Sequence, residues 1–248
     1  MENFKRSSFI EVGEASSEKS KKLLTSAFSW MALALVLSTL AAWMFNFIPE
    51  LNSLLVNTQT TSAGQVKKGL TVFGWIVMFA PIILVLIMSA RLQKMSMIAL
   101  ISCFIIFSVV NGMSLFFVFS HYQIGKVINV FLSSTALFGL FAAAGYFTKT
   151  DLSKLGSILT IGLIGIVVAG LINFFIGSHT MDYVISFLGV VIFTGLTAYD
   201  VQKIKNMGST LDEGENFSKM AIMGALSLYL DFINLFLFLL RLFGGGRD

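Results

Sequence analysis

Residues 220–240 read MAIMGALSLYLDFINLFLFLL, an apolar run whose only charge, Asp231, falls near its middle. At 1.5 Å rise per residue, about 20 such residues cross the roughly 30 Å hydrocarbon core of a bilayer as an α-helix. A carboxylate in the middle of a spanning helix costs about 2.5–3.5 kcal/mol on insertion scales. Such an acid is expected to have a partner, a task, or both. The preceding apolar run has its own isolated acid. Thr197-Ala198-Tyr199-Asp200 closes there as Leu228-Tyr229-Leu230-Asp231 closes in the last run.

Working outward, seven apolar segments are long enough to span: about 23–47, 70–90, 96–119, 127–147, 157–178, 183–204 and 217–243. They take up most of a 248-residue chain that is 56% hydrophobic. Alternating ten-residue barrel strands are absent from the pattern. The expected fold is all-α: a polytopic membrane protein with a single seven-helix transmembrane domain over 21–243. Residues 1–20 mix Ser, Lys and Glu and are expected to form a mobile cytoplasmic tail, and 244–248 a short C-terminal tail. The first span follows this polar stretch, exceeds a signal-peptide core and lacks a small-residue cleavage site, so it is not a cleaved signal.

The net charge of +4 records topology and does not point to nucleic acid. With the N-terminus inside, twelve of the seventeen Lys and Arg fall in inner segments, among them Lys19, Lys22, Arg91, Lys203, Lys205 and Lys219. The positive-inside rule then predicts a cytoplasmic N-terminus and a C-terminus on the opposite side. Cys103 is alone and inside a span, so no intrachain disulfide is available, and it reads as a small packing residue.

The longest internal polar stretches are 50–69 and 205–216, the second joining the two acid-bearing spans. Span five carries Gly162, Gly165, Gly170 and, further on, Gly177, read as a close-packing face. Asn111 and Asn173 lie within spans, where interhelical hydrogen bonds are the default. His121 and His179 fall in outer loops, and no metal role is expected of them.

The spacing of the two acids is informative. Their midpoint, 215.5, lies in the polar Glu213–Asn216 stretch, so an antiparallel hairpin turning there places the carboxylates level. Ser227 and Asn234 stand at i−4 and i+3 from Asp231, and Thr197 at i−3 from Asp200, each on its acid's helical face. A polar seam between the last two spans is the simplest way to satisfy these groups. Two carboxylates within hydrogen-bond reach cannot both ionise cheaply, so the pair would share a proton and titrate as a unit. A proton-sensitive latch, a cation site and an acid/base pair remain open. So does a structural role, in which each acid pins helices together. For calcium, Asp200 and Asp231 alone fall short, and waters, Asn or carbonyls must complete the shell.

The run Ala225-Leu226-Ser227-Leu228-Tyr229-Leu230-Asp231-Phe232-Ile233-Asn234-Leu235-Phe236, followed by Leu239-Leu240-Arg241, resembles the last-span signature of the Bax-inhibitor family. Thr194-Gly195-Leu196-Thr197-Ala198-Tyr199-Asp200-Val201-Gln202-Lys203-Ile204 resembles its sixth-span motif, and Asn111-Gly112-Met113-Ser114-Leu115 fits in span three. The resemblance covers about residues 20–243. It implies a bundle with the last helix central and a pH-sensitive calcium leak, with Asp200 and Asp231 as the latch and calcium near them. Some relatives pair the sixth-span acid with an Arg at the inner end of span two, a place held here by Arg91. Span two has no acid of its own, so a further acidic ligand from that helix is missing. Bacterial-type relatives imply an inner-membrane location and, in addition, modulation of membrane proteases.

The leading function is therefore a pH-sensitive calcium leak with membrane lipid and calcium as its partners, acting as a monomer. The alternative is a non-conducting regulator that binds a membrane protease, through the tail or the 205–216 loop. An enzyme is not expected. An intramembrane aspartyl protease would need a Gly-x-Gly before its second Asp, where Leu228-Tyr229-Leu230 stands, and a downstream Pro-Ala-Leu element, which is missing.

Overall fold

Capping residues punctuate the apolar runs and turn them into discrete helices. The computed structural model describes residues 2–60 and 66–245, with side chains over 16–58 and 69–245. The elements in order are α1 (Glu2–Phe47), α2 (Pro49–Leu55), β1 (Val56–Thr60), β2 (Val66–Leu70), α3 (Val72–Arg91), α4 (Met97–Phe119), α5 (Ile124–Phe147), α6 (Ser153–Ile176), α7 (His179–Thr210) and α8 (Glu215–Phe243). Thr71, Ser96 and Ser178 cap α3, α4 and α7, each accepting the amide N–H three residues on at 2.9–3.3 Å. Gly177 ends α6 in the left-handed region at φ 69°, where a side chain would be strained.

Among the described residues, seven of the eight helices are long and apolar enough to span a membrane, and each coincides with one of the seven segments expected above. Helix α7 is 32 residues long, about 48 Å, and so outruns the hydrocarbon core.

Two compact units make up the chain: residues 32–123, and residues 1–31 with 124–248. In the first, the later part of α1 meets α4 so closely that the Ser38 hydroxyl donates to the Ser108 carbonyl at 2.7 Å. A Cβ on Gly112 would run into the Ser38 backbone, which explains a glycine in the Asn111-Gly112-Met113 motif. Ala41, Leu55, Val77, Met113 and Phe116 form the core of this unit. The polar stretch 50–69 holds α2 and one antiparallel hairpin in which Val56 pairs with Leu70.

In the second unit α8 packs against α5 and α7. Phe131 and Phe138 of α5 meet Phe232 and Phe236 edge-on at 5.4–5.9 Å, and Phe193 of α7 stacks on Phe238 at 5.8 Å. Of the seven spans α8 is the most buried, with 67% of its apolar window inside the protein.

Helix α1 runs through residue 20, and Ser20 is buried against Gly208 of α7. Two expectations change here. The supposed 205–216 linker is mostly helix, because α7 continues to Thr210 and only residues 211–214 turn. Contact with α1 rewards that continuation. Nor is the glycine run of span five a packing face. A Cβ would meet nothing at Gly165 or Gly170, and only Gly162 touches a neighbour, Ile192. The C-terminal tail falls partly outside the described residues, which end at Gly245.

A candidate cation site between two helices

The α7–α8 hairpin fixes the level of its two acids through its packing. Ile204 lies against Gly224 on one side of the acids, and Phe193 stacks on Phe238 on the other. Asp200 lies between Ile204 and Phe193 on α7, and Asp231 lies between Gly224 and Phe238 on α8. The residue pairs thus bracket the acids and hold them at similar depth, as the spacing predicts, although the turn itself comes at residues 211–214.

Asp231 is 5% exposed, and Asp200 is half-buried. The Oδ2 atom of Asp231 is enclosed and meets no hydrogen-bond donor among the described residues. The charged group acting on Asp231 is the carboxylate of Asp200. The two acids therefore face each other's fields in an apolar surround, and one acceptor is left open. A proton or a cation is what such an acceptor lacks.

The supporting polar residues take different places from those expected. Thr197 donates its hydroxyl to the Phe193 carbonyl at 2.7 Å, and Asn234 donates its amide to the Leu230 carbonyl at 2.8 Å. Both bonds close within the residue's own helix, so they do not bridge the seam to the acids. A hydroxyl four residues past a carbonyl finds it at no conformational cost, and in hydrocarbon that local bond prevails. Ser227, one turn before Asp231, has no hydrogen-bond partner among the described residues.

Arg91 occupies the last turn of α3, exposed. On α7 itself the cation acting on Asp200 is Lys203, three residues on, which also lies 5.8 Å from the Tyr199 ring centroid. The i, i+3 spacing of Asp200 and Lys203 was the available sequence signal.

A second polar cluster closes the turn end of this unit. Gln202 donates to the Thr150 carbonyl and accepts from the Leu152 N–H, both at 2.8 Å, tying the α5–α6 turn to α7. Lys205 donates to the Tyr146 carbonyl at 2.7 Å. Lys19 and Lys22 of α1 pair with Asp212 and Glu213 in the α7–α8 turn at 3.1 and 2.8 Å. At the opposite end Asn173 is a turn residue: it bonds the Ser178 backbone and the Asp182 carboxylate.

Among the described residues no three His, Cys, Asp or Glu side chains gather as a metal cluster. Asp200 and Asp231 alone fall short of the six to eight oxygen ligands that calcium takes.

Comparison with known proteins agrees with this architecture over nearly the whole chain. The profile of the family described as "Inhibitor of apoptosis-promoting Bax1" matches residues 20–248. The chain is 37% identical to the inner membrane protein YbhL of Escherichia coli (strain K12), over 90% of this chain and 92% of that one. It is 37% identical to an uncharacterized protein of Borreliella burgdorferi, over 92% and 93% of the two chains. With the uncharacterized protein RP147 of Rickettsia prowazekii it shares 34% identity, over 92% and 91%.

Proposed function

Starting from the chain's membership of the Bax inhibitor family, as a multi-pass membrane protein with seven spans, we propose that it is a pH-sensitive calcium leak of a bacterial inner membrane. Asp200 and Asp231 form its proton-operated latch. The observation that carries this reading is the enclosed, donorless Oδ2 of Asp231 on an acid that lies in the field of the Asp200 carboxylate. With a proton between them the two acids attract and hold α7 to α8. With both ionised they repel, and the pair becomes a locus for a divalent cation. Lys203 balances part of the charge on Asp200 and leaves Asp231 as the less compensated acid.

The distribution of lysines supports a cytoplasmic N-terminus. Lys19, Lys22, Lys205 and Lys219 all gather at the end of the unit where α7 turns into α8, and the positive-inside rule assigns that end to the cytoplasm. The name of the Escherichia coli relative, an inner membrane protein, supports the location. A non-conducting regulator has less to stand on, because the 205–216 stretch offers only a four-residue turn, already paired with α1.

The test is calcium flux into liposomes holding the purified protein, compared between about pH 5 and pH 8, since a carboxylate pair that shares a proton titrates as a unit. Wild type should conduct with a pH dependence, and Asp200→Asn and Asp231→Asn should each flatten it. Wild-type flux at every pH from well-folded Asp231→Asn protein would rule out the latch. Absence of flux in every form would favour the regulator.

A further inference from the structure

Helix α8 is buried on all sides but one. Met220, Met223, Ser227, Leu230, Asn234 and Leu237 are half-buried, while the residues between them are buried with few exceptions. Their spacing is three and four in alternation, so they form one continuous stripe along a single face of the helix.

This stripe differs from a lipid-facing one in two ways. On α6, which packs its exposed face with Ile and Phe, Phe174 and Phe175 are 82% and 86% exposed. The α8 stripe is recessed, and it carries a hydroxyl and an amide. Ser108, Ser134, Thr160 and Thr197 satisfy their hydroxyls on the carbonyl four residues back. Ser227 does not, and it has no other partner among the described residues. One turn on, Asp231 stands at the border of the same face, its Oδ2 enclosed and without a donor among the described residues. In hydrocarbon two such groups in a row are costly; water relieves the hydroxyl, and a proton or an arriving cation the enclosed carboxylate.

Resting on the proposed flux, the geometry points to this face of α8 as the water-contacting wall along which a hydrated cation reaches Asp231. Ser227 and Asn234 are its polar steps on either side of the acid. Met220 and Met223 form an apolar constriction between the acid and the α7–α8 turn. Thioether side chains are soft and mobile, and an apolar narrowing of this kind closes by expelling water. Asn234 suits its step because its amide nitrogen is spent on Leu230 while its oxygen is left to face the ion.

Cysteine accessibility tests this without relying on flux. In a Cys103→Ser background, single cysteines replace Ser227, Leu230 and Asn234, with Ile222 and Ala225 as buried controls and Ile164 as a lipid-facing control. A charged methanethiosulfonate should label the stripe positions roughly tenfold faster than all three controls, because a charged reagent enters only where water does. A lipophilic maleimide should instead favour position 164. Calcium should slow labelling at 227, and Asp231→Asn should abolish that protection. Labelling of the stripe by the lipophilic reagent alone would make it a lipid face, and labelling by neither would make it a covered protein face. Either result overturns the proposal, as does labelling that calcium leaves unchanged. The expected labelling and protection in a protein without calcium flux would keep the wall and reject the leak.

Discussion

Helices α6 and α8 invert the rule familiar from soluble proteins. The more hydrophobic of the two, α6, with mean hydropathy 2.5, is only 11% buried, while α8, at 1.9 and carrying Ser227, Asp231 and Asn234, is 67% buried. Lipid tails are as apolar as Leu, so burial among other helices gives an apolar side chain no hydrophobic gain. What brings a helix inside is shape, which its neighbours must match, and polarity, which must be kept from hydrocarbon. Helix α8 has both: aromatic knobs that mesh with α5, and the acid. The packing itself, rather than hydropathy, then holds this unit together.

Truncating a ring on each helix puts that contrast to its hardest test. Phe232 of α8 is buried and meets Phe131 and Phe138 edge-on, so Phe232→Ala should cost about 3–5 kcal/mol in a reversible unfolding assay in bicelles. Phe174→Ala on α6 removes a ring that is 82% exposed and should stay within about 0.5 kcal/mol. Equal losses from the two would break the comparison. Next comes the acid. Asp231→Leu removes one member of the pair, so it should abolish calcium flux and, at acid pH where a shared proton ties α7 to α8, lower stability by about 1.5–3 kcal/mol in the same assay. A gain of stability at that pH would show that no shared proton holds the two helices together.

Glycines give a finer contrast. A side chain at Gly224 of α8 meets Ile204 at 3.0 Å, whereas at Gly170 of α6 it meets nothing. Gly224→Leu should therefore cost about 1–3 kcal/mol and Gly170→Leu close to none, read as thermal midpoints in detergent. The smallest effect is expected at the start of α6, outside the hydrocarbon. Hydrogen bonds from the side chain and backbone of Ser153 hold the Asp151 carboxyl below the usual carboxylate range. Its contribution is present above the pKa of the unfolded chain and is lost as pH falls through the lower folded value. Hydrogen exchange at the Ser153 amide should be slower in wild type than in Asp151→Ala at neutral pH, and the two should converge in strong acid.

The acids were legible because isolation in an apolar run is a property of the sequence alone. Their common level was legible too, as an arithmetic of residues about a turn, and the packing of Ile204 on Gly224 and of Phe193 on Phe238 confirms it. The surrounding hydrogen bonds were not. Thr197 and Asn234 lie on the right faces, yet each bonds a carbonyl of its own helix. A helical face sets where a side chain can reach, and the nearest unsatisfied group sets where it bonds. The cation acting on Asp200 is Lys203, one turn away on the same helix.

Number, order and length of the spans follow from local hydropathy, since the bilayer judges each segment on its own before any helix meets another. The same is true of the two acids, whose cost is charged to the helix that carries them. Which helix lies inside, and which glycines matter, are different questions. Span five is richest in evident small-residue spacing, but close approaches to another backbone occur elsewhere, at Gly74 on Leu55, Gly112 on Ser38, Gly145 on Ala198 and Gly208 on Ser20. So too with the stretch 205–210, polar enough to read as a loop, which continues α7 because α1 packs against it and pairs with the turn beyond. These outcomes depend on the shape of a neighbour distant in the chain, and no window of sequence contains that neighbour.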